Sequence, residues 1–538
     1  MPSAGGVALF CAAALLAIAQ PQRGGPRLAA FPSSADGSRQ EYAVYAPPGY
    51  DPARRYPLIL ALHEEDSNHI AELKHIFALP ARYGESPLQN LMTLPVLPNL
   101  DFVVACPFAR GNMGYQGVAE QDVYDTLADV ERRYPVDPDR VYLTGSSMGG
   151  GAALWMALTR PDLWAAVAPV CAAPVPGSEE LAGNALHLPI RLFHGDQDPL
   201  VPVASSRQWQ KRLLDLGVPV DYVEYPGVRH NAWDFAYRGG ALLQWFGGQV
   251  RNRAPEHVRF AASSYRYRSA YWVRIDALTP GVPASVDAVR SGSEIKVTTR
   301  NLDAFTLTAP AHTVTVDGAA VRLRPGAPLS FVKKGARWSL GTLPAQGKRP
   351  GVEGPIVEAF RSRHIWVYGT AGAGDPELAR RRAEVETAAA WSTTRTRVNI
   401  AVEIKADRDV TAEEIAGANL LLFGTRATNT LVARFATRLP MELNPGAADY
   451  GMLLIAPSDG RYVVVSSGLP WWTGADNVDR GGYRFAPAPY RLLSTFGDYL
   501  VFKGGIDRVL AEGRFDRDWN LPADAAAKLR ATGVVAIR

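Results

Sequence analysis

Cysteine is nearly absent. Three occur in 538 residues, and Cys11 lies in a segment expected to be removed, so no disulfide framework organises this chain. Charge is also modest. Asp, Glu, Lys and Arg make up 20% of the residues against 47% apolar, which excludes a disordered, heavily solvated chain. Lys plus Arg number 57 and Asp plus Glu 53, a net +4 spread over a large surface. The densest basic run, Arg380-Arg381-Arg382, sits among Glu377, Glu384 and Glu386 as on a solvated helix face, so no nucleic-acid partner is expected. Past the N-terminus no stretch approaches the ~20 consecutive apolar residues of a membrane span. The glycine-rich Gly369 to Gly374 lacks both the dinucleotide fingerprint and a Walker lysine, and reads as a turn. No cofactor is expected.

What is present begins with Val7 to Ile18, an unbroken apolar run followed by Ala17-Ile18-Ala19, which fits a signal peptide over residues 1–19 and a secreted or periplasmic destination. Positions 2 to 6 carry no Lys or Arg, and an uncleaved N-terminal anchor is the alternative. At ~100 to 200 residues per domain the chain should hold three or four units.

From about residue 40 to 250, short apolar runs alternate with segments of helical period, the pattern of a mostly parallel sheet covered by helices. Strands are predicted at Glu41–Ala46, Leu58–Leu62, Phe102–Ala105, Val141–Thr144, Ala165–Val170, Ile190–His194 and Val220–Tyr225, and a crossover helix between Asp122 and Tyr134. Glu64 to Leu100 is long for a connection and is a candidate lid. After Pro255 the pattern becomes alternating strands, among them Tyr265–Arg268, Ala270–Ile275, Ile295–Thr299, Phe305–Thr308, Val314–Val316 and Leu329–Lys333, predicting a small antiparallel β domain. Residues 356–538 return to alternation, with strands at His364–Tyr368, Val398–Ile404, Leu420–Phe423 and Tyr462–Val465 and a helix opening at Asp375-Pro376. The reading is an α/β-hydrolase domain over 27–250, an antiparallel β domain over 255–346 and a second, smaller α/β domain over 356–538.

The chemistry centres on Gly145-Ser146-Ser147-Met148-Gly149, a G-x-S-x-G sequence after a predicted strand and before a predicted helix. A strand that turns at once into a helix strains the serine backbone and lifts its hydroxyl out at a helix N-terminus, and side chains at ±2 would collide there. Two partners follow in the order acid then His, each just after a strand: Asp198 in His194-Gly195-Asp196-Gln197-Asp198-Pro199, and His230 in Gly227-Val228-Arg229-His230-Asn231. Asp196 is expected to shape its turn. A serine hydroxyl is too weakly acidic to attack unaided, so His230 takes its proton and Asp198 holds the imidazole, which makes acyl transfer to water the expected reaction. The oxyanion donors are expected to be the N–H groups of Met148 and Glu65, the latter in the loop after Leu62.

His63, Glu64, Glu65, Asp66, His69 and His75 cluster in sequence, but His63 and His69 stand six apart rather than the four a zincin helix needs. No metal is expected, and the cluster reads as a polar loop at the mouth of the site. Tyr265, Tyr267, Tyr271, Trp272, Trp471 and Trp472 read as core of half-buried strands rather than as a polymer-binding surface.

On Tyr45-Ala46-Pro47-Pro48-Gly49-Tyr50, Glu120-Gln121-Asp122-Val123, Tyr142 to Gly150 and His194 to Pro202, residues 38 to 250 resemble the secreted α/β-hydrolase esterases related to polyhydroxyalkanoate depolymerases and feruloyl esterases, grouped with prolyl-oligopeptidase-like serine hydrolases. The resemblance implies a serine esterase with Ser147, Asp198 and His230 as its triad, acting on a small-molecule or polymer ester. Such enzymes usually have His-Gly where this chain has His63-Glu64, and a carboxylate aimed at the oxyanion would oppose catalysis. The alternatives are a serine peptidase, against which the absence of a blade repeat argues, and a scaffold whose hydrolase activity is impaired by that loop. In this fold's usual strand order, Cys106 and Cys171 end strands about 14 Å apart, beyond the ~7 Å reach of a disulfide, and are predicted to be free buried thiols.

Overall fold

A computed structural model describes residues 24–79, 101–343, 347–389, 400–480 and 489–538. The predicted signal peptide, the second half of the candidate lid and the first two residues of the predicted strand Val398–Ile404 lie outside the described residues. Among the described residues no helix is long and apolar enough to cross a membrane.

The N-terminal unit is built on an eight-stranded sheet: β1 Gly25–Pro32, β2 Arg39–Ala46, β3 Tyr56–Leu62, β4 Val103–Pro107, β5 Val136–Ser146, β6 Ala166–Val170, β7 Ile190–Gly195 and β8 Val220–Tyr225. Their order is β1-β2-β4-β3-β5-β6-β7-β8. β1 and β2 are antiparallel additions, and from β4 to β8 every pairing is parallel. Parallel strands need both faces covered, which is why β3, β4 and β6 are apolar at nearly every position and buried throughout. Helices α1 His69–Ile76, α2 Val118–Arg133, α3 Met148–Thr159, α4 Ala204–Asp215 and α5 Trp233–Ala236 follow or cover these strands. The order places Cys106 on β4 and Cys171 after β6, three positions apart, and both thiols are free and buried. β1 is an addition to the predicted strands; Gly25 and two prolines hide it from propensity.

Residues 257–340 form two five-stranded sheets whose inner faces share one core, with Val258, Phe260 and Val286 from one sheet and Ile275, Phe305 and Phe331 from the other. Three details differ from expectation. Ala270–Ile275 is not one strand: Ser269–Ala270 and Val273–Leu278 pair antiparallel, Ala270 opposite Val273, around a turn at Tyr271-Trp272. Glu294–Arg300 pairs with Thr313–Val316 in parallel, so the sandwich is not wholly antiparallel. Tyr265–Arg268 is a turn rather than a strand: the Tyr265 hydroxyl donates back to Leu278 O at 3.0 Å, while Arg266 turns outward to donate to Gln121 Oε1 of α2 at 2.7 Å. Alternating aromatic and Arg residues here serve a corner and an interface. Tyr265, Trp272 and Trp471 are buried, as core residues should be.

The last unit is a seven-stranded mixed sheet with His364–Tyr368, Glu403–Ala406, Asn419–Phe423 and Arg461–Gly468 in parallel and Tyr450–Ser458, Tyr499–Lys503 and Val509–Gly513 extending it antiparallel. Its core reaches into the hydrolase unit, taking in Ala35, Met113, Val118 and Ala119. Polar contacts seal the same contact. Arg361 pairs with Glu120 of α2 at 2.5 Å, with Glu120 only 1% exposed, and Asp36 accepts from Ala401 N at 3.0 Å. Arg110, fully buried, is held between Asp36 and Asp122.

Candidate active site

β5 runs without a loop into α3, and Ser147 between them takes φ 53° and ψ −111°, a left-handed backbone that a side chain adopts only under strain. Glycine is required on both sides. A Cβ on Gly149 would lie 2.0 Å from Leu62 O, and one on Gly145 2.5 Å from Gly149 O. The collision anticipated from the motif is therefore with the end of β3 and with the helix's own first turn. The Ser147 N–H is bonded to Val170 O at 2.9 Å, and the N–H of Met148, first residue of α3, is among the orphan donors of a helix start.

The three residues singled out in the sequence converge. His230 Nε2 lies 2.8 Å from Ser147 Oγ, and His230 Nδ1 lies 2.7 Å from Asp198 Oδ2. A carboxylate can only accept, so Nδ1 carries the proton and Nε2 is left as the acceptor for the serine hydroxyl. Asp198 Oδ1 accepts from Leu200 N at 2.8 Å and Val201 N at 2.9 Å. Burial alone would raise this carboxyl, but the His230 hydrogen bond and the two amides prevail and hold it below the usual carboxylate range. Asp196 accepts from Gly227 N at 2.7 Å, tying the β7 turn to the loop that carries His230.

Sequence reasoning missed several supporting side chains. His194, buried at the end of β7, brings Nε2 to 3.2 Å from Asp198 Oδ2 while Nδ1 faces Ser206 Oγ at 2.7 Å. Its only signal was its place four residues before Asp198. Trp233 of α5 meets the His230 ring edge-on at 5.5 Å. The Cys171 thiol donates to His230 O at 3.3 Å, and burial pushes that thiol well up, so it remains protonated.

In the oxyanion loop, His63 is fully buried with Nδ1 2.7 Å from Glu64 O and Nε2 3.0 Å from Phe108 O. A trans peptide directs its N–H opposite its carbonyl, so fixing Glu64 C=O on the His63 ring turns the Glu65 N–H the other way. Asp66 and Asn112 close the loop with two mutual hydrogen bonds of 2.8 and 2.6 Å. The Glu64 carboxylate is turned into the protein, 3.7 Å from His75 Nδ1, which in turn is 3.5 Å from Glu72 Oε2. Burial raises Glu72 to about 7.

A parallel sheet, a strained serine at its strand-to-helix turn and an acid and His on the following loops define an α/β-hydrolase fold. Residues 118–236, which contain all three side chains, match the family described as Phospholipase/Carboxylesterase. Acyl-protein thioesterase 1 of Gibberella zeae is 27% identical over 121 residues, which cover 21% of this chain and 50% of that protein. The chain therefore spans about half the length of this curated relative. Among solved structures, a thermostable esterase is 24% identical with a TM-score of 0.34, covering 42% of this chain and 63% of that one. A ferulic acid esterase of Anaeromyces mucronatus in complex with ferulic acid is 17% identical with a TM-score of 0.33, covering 42% and 91%.

Proposed function

We propose that this chain is an exported serine hydrolase that cleaves carboxylic esters through an acyl-enzyme on Ser147. The observation that carries the reading is the hydrogen-bonded path from Asp198 through His230 to Ser147 on a strained strand-to-helix turn. Ser147 Oγ attacks the ester carbonyl as His230 Nε2 accepts its proton, and Asp198 stabilises the imidazolium. The N–H groups of Met148 and Glu65 receive the oxyanion. Collapse of the tetrahedral intermediate expels the alcohol, protonated by His230, and water then repeats the sequence to release the acid.

Export rests on the apolar run Val7 to Ile18 and is tested by N-terminal sequencing of protein recovered outside the cytoplasm. A substrate panel tests the chemistry. Short-chain nitrophenyl esters should be turned over by the wild type; hydrolysis of aminoacyl-nitroanilides alone would make the protein a peptidase, and acyl thioesters alone would move it toward the thioesterase relative.

A further inference from the structure

Behind the oxyanion loop lies a group of buried titratable side chains that acyl transfer leaves without a task. Glu64 comes from the turn after β3, and Glu72 and His75 from successive turns of α1. Glu72 is fully buried, and Glu64 and His75 are each 8% exposed. Glu64 Oε2, Glu72 Oε2 and His75 Nδ1 are shut off from water, and none of them makes a hydrogen bond. Yet these atoms face one another, with His75 Nδ1 3.5 Å from the Glu72 oxygen and 3.7 Å from the Glu64 oxygen, and one ligand atom from each residue lies within 4.8 Å of the others. Buried polar atoms are seldom left in this condition, because each forfeits its hydration and only the long His75–carboxylate pairs answer it.

The spacing has a chemical explanation. It is long for hydrogen bonds but close to the edge of a tetrahedron of ligands around a cation with ~2.1 Å bonds, about 3.4 Å. Two carboxylates and one neutral imidazole bring a charge that one divalent ion neutralises. We infer that Glu64, Glu72 and His75 bind a divalent transition-metal ion. Zinc suits the mixed imidazole and carboxylate donors, whereas magnesium and calcium favour all-oxygen sites.

The ion would position rather than react. Glu64 immediately precedes the amide assigned to the oxyanion. His75 stacks on Trp233 at 5.7 Å, and Trp233 meets His230. Glu72 also accepts from the Tyr237 hydroxyl at 3.5 Å, which is itself 2.9 Å from Thr144 Oγ1 at the end of β5. One ion would thus tie together the oxyanion loop, α1 and the segment bearing the His, while keeping the Glu64 charge away from the oxyanion.

The test is zinc stoichiometry and thermal melting of the full chain after chelator treatment and titration with zinc chloride alone. The site is independent of the ester-hydrolase reading, so the same measurements on Ser147→Ala should be unchanged. His230→Ala separates this site from Cys171, Asp198 and His230, whose ligand atoms also lie close together. We expect one zinc per chain in wild type, S147A and H230A, with a raised melting temperature. In Glu72→Gln and His75→Gln, affinity should fall by at least the ~100-fold that loss of a mere supporting partner can cost. Where those variants do not fold, cobalt(II) on the wild type provides the readout: an absorption band of a low-coordinate site and quenching of Trp233, read as the difference from Trp233→Phe. No stoichiometric zinc on the wild type, or zinc lost in H230A but kept in E72Q, overturns the inference.

Discussion

Gly149→Ala tests how the elbow and the oxyanion loop are joined. The added Cβ would sit 2.0 Å from Leu62 O, 2.5 Å from Leu62 C and 2.7 Å from His63 O, all backbone atoms that cannot swing aside. Opening the shortest contact even to 3.0 Å moves the end of β3 and the start of α3 apart by about 1 Å, and a 1 Å misplacement is enough to cost ~100-fold in rate. That displacement separates the Met148 amide from the loop that carries the Glu65 amide. Loss of one oxyanion donor costs about 10²- to 10³-fold in kcat, and overpacking costs about 1–3 kcal/mol of stability. The assay is kcat and KM for a short-chain nitrophenyl ester together with a urea unfolding curve. The expected result is a kcat lower by about two to three orders of magnitude, little change in KM and a lower urea midpoint. A variant with kcat within about threefold of wild type and an unchanged midpoint would refute the claim that these two segments jointly form the oxyanion site.

Three further predictions concern the junctions between units. Arg361→Met should leave Glu120, 1% exposed, without its cation inside the contact; breaking such a pair costs about 3–5 kcal/mol, read as a fall in denaturation midpoint, and a chain ending near residue 253 should be poorly soluble because Met113, Val118 and Ala119 lose their cover. Glu353, 2% exposed, has its carboxyl raised to about 8 by burial, with Glu358's charge adding to the effect. The native state then holds a proton that the unfolded chain has released, so stability falls as pH rises from about 4.5 to 8. Glu353→Gln cannot ionise, and should gain on the wild type across that window by a difference on the order of 2–5 kcal/mol. Parallel denaturation curves for the two proteins from pH 5 to 8.5 would contradict this.

The parallel strands and the three side chains at their ends were legible because each is announced locally. Buried parallel strands are continuous apolar runs, and the elbow is a short motif whose glycines have a steric cause. What escaped depends on distant partners. Tyr265–Arg268 alternates like a strand, but its Arg266 is committed to Gln121, and no local signal distinguishes that from a pleated surface. Glu120-Gln121-Asp122 could be read only as part of a resemblance. In the fold these side chains meet Arg361, Arg266 and Arg110, contacts separated by 241, 145 and 12 residues. His69 and His75 read as part of a polar mouth because the charges of a loop normally face water, whereas both are packed inward on α1, beside a buried Glu72 that the loop reading passed over.

The most direct test is the reactivity of Ser147. A fluorophosphonate probe, applied to wild type, Ser147→Ala, His230→Ala and Asp198→Asn, should label the wild type rapidly at one site, leave S147A unlabelled and label the other two far more slowly. Labelling that persists in S147A, or wild-type protein that resists the probe while folded, would contradict it.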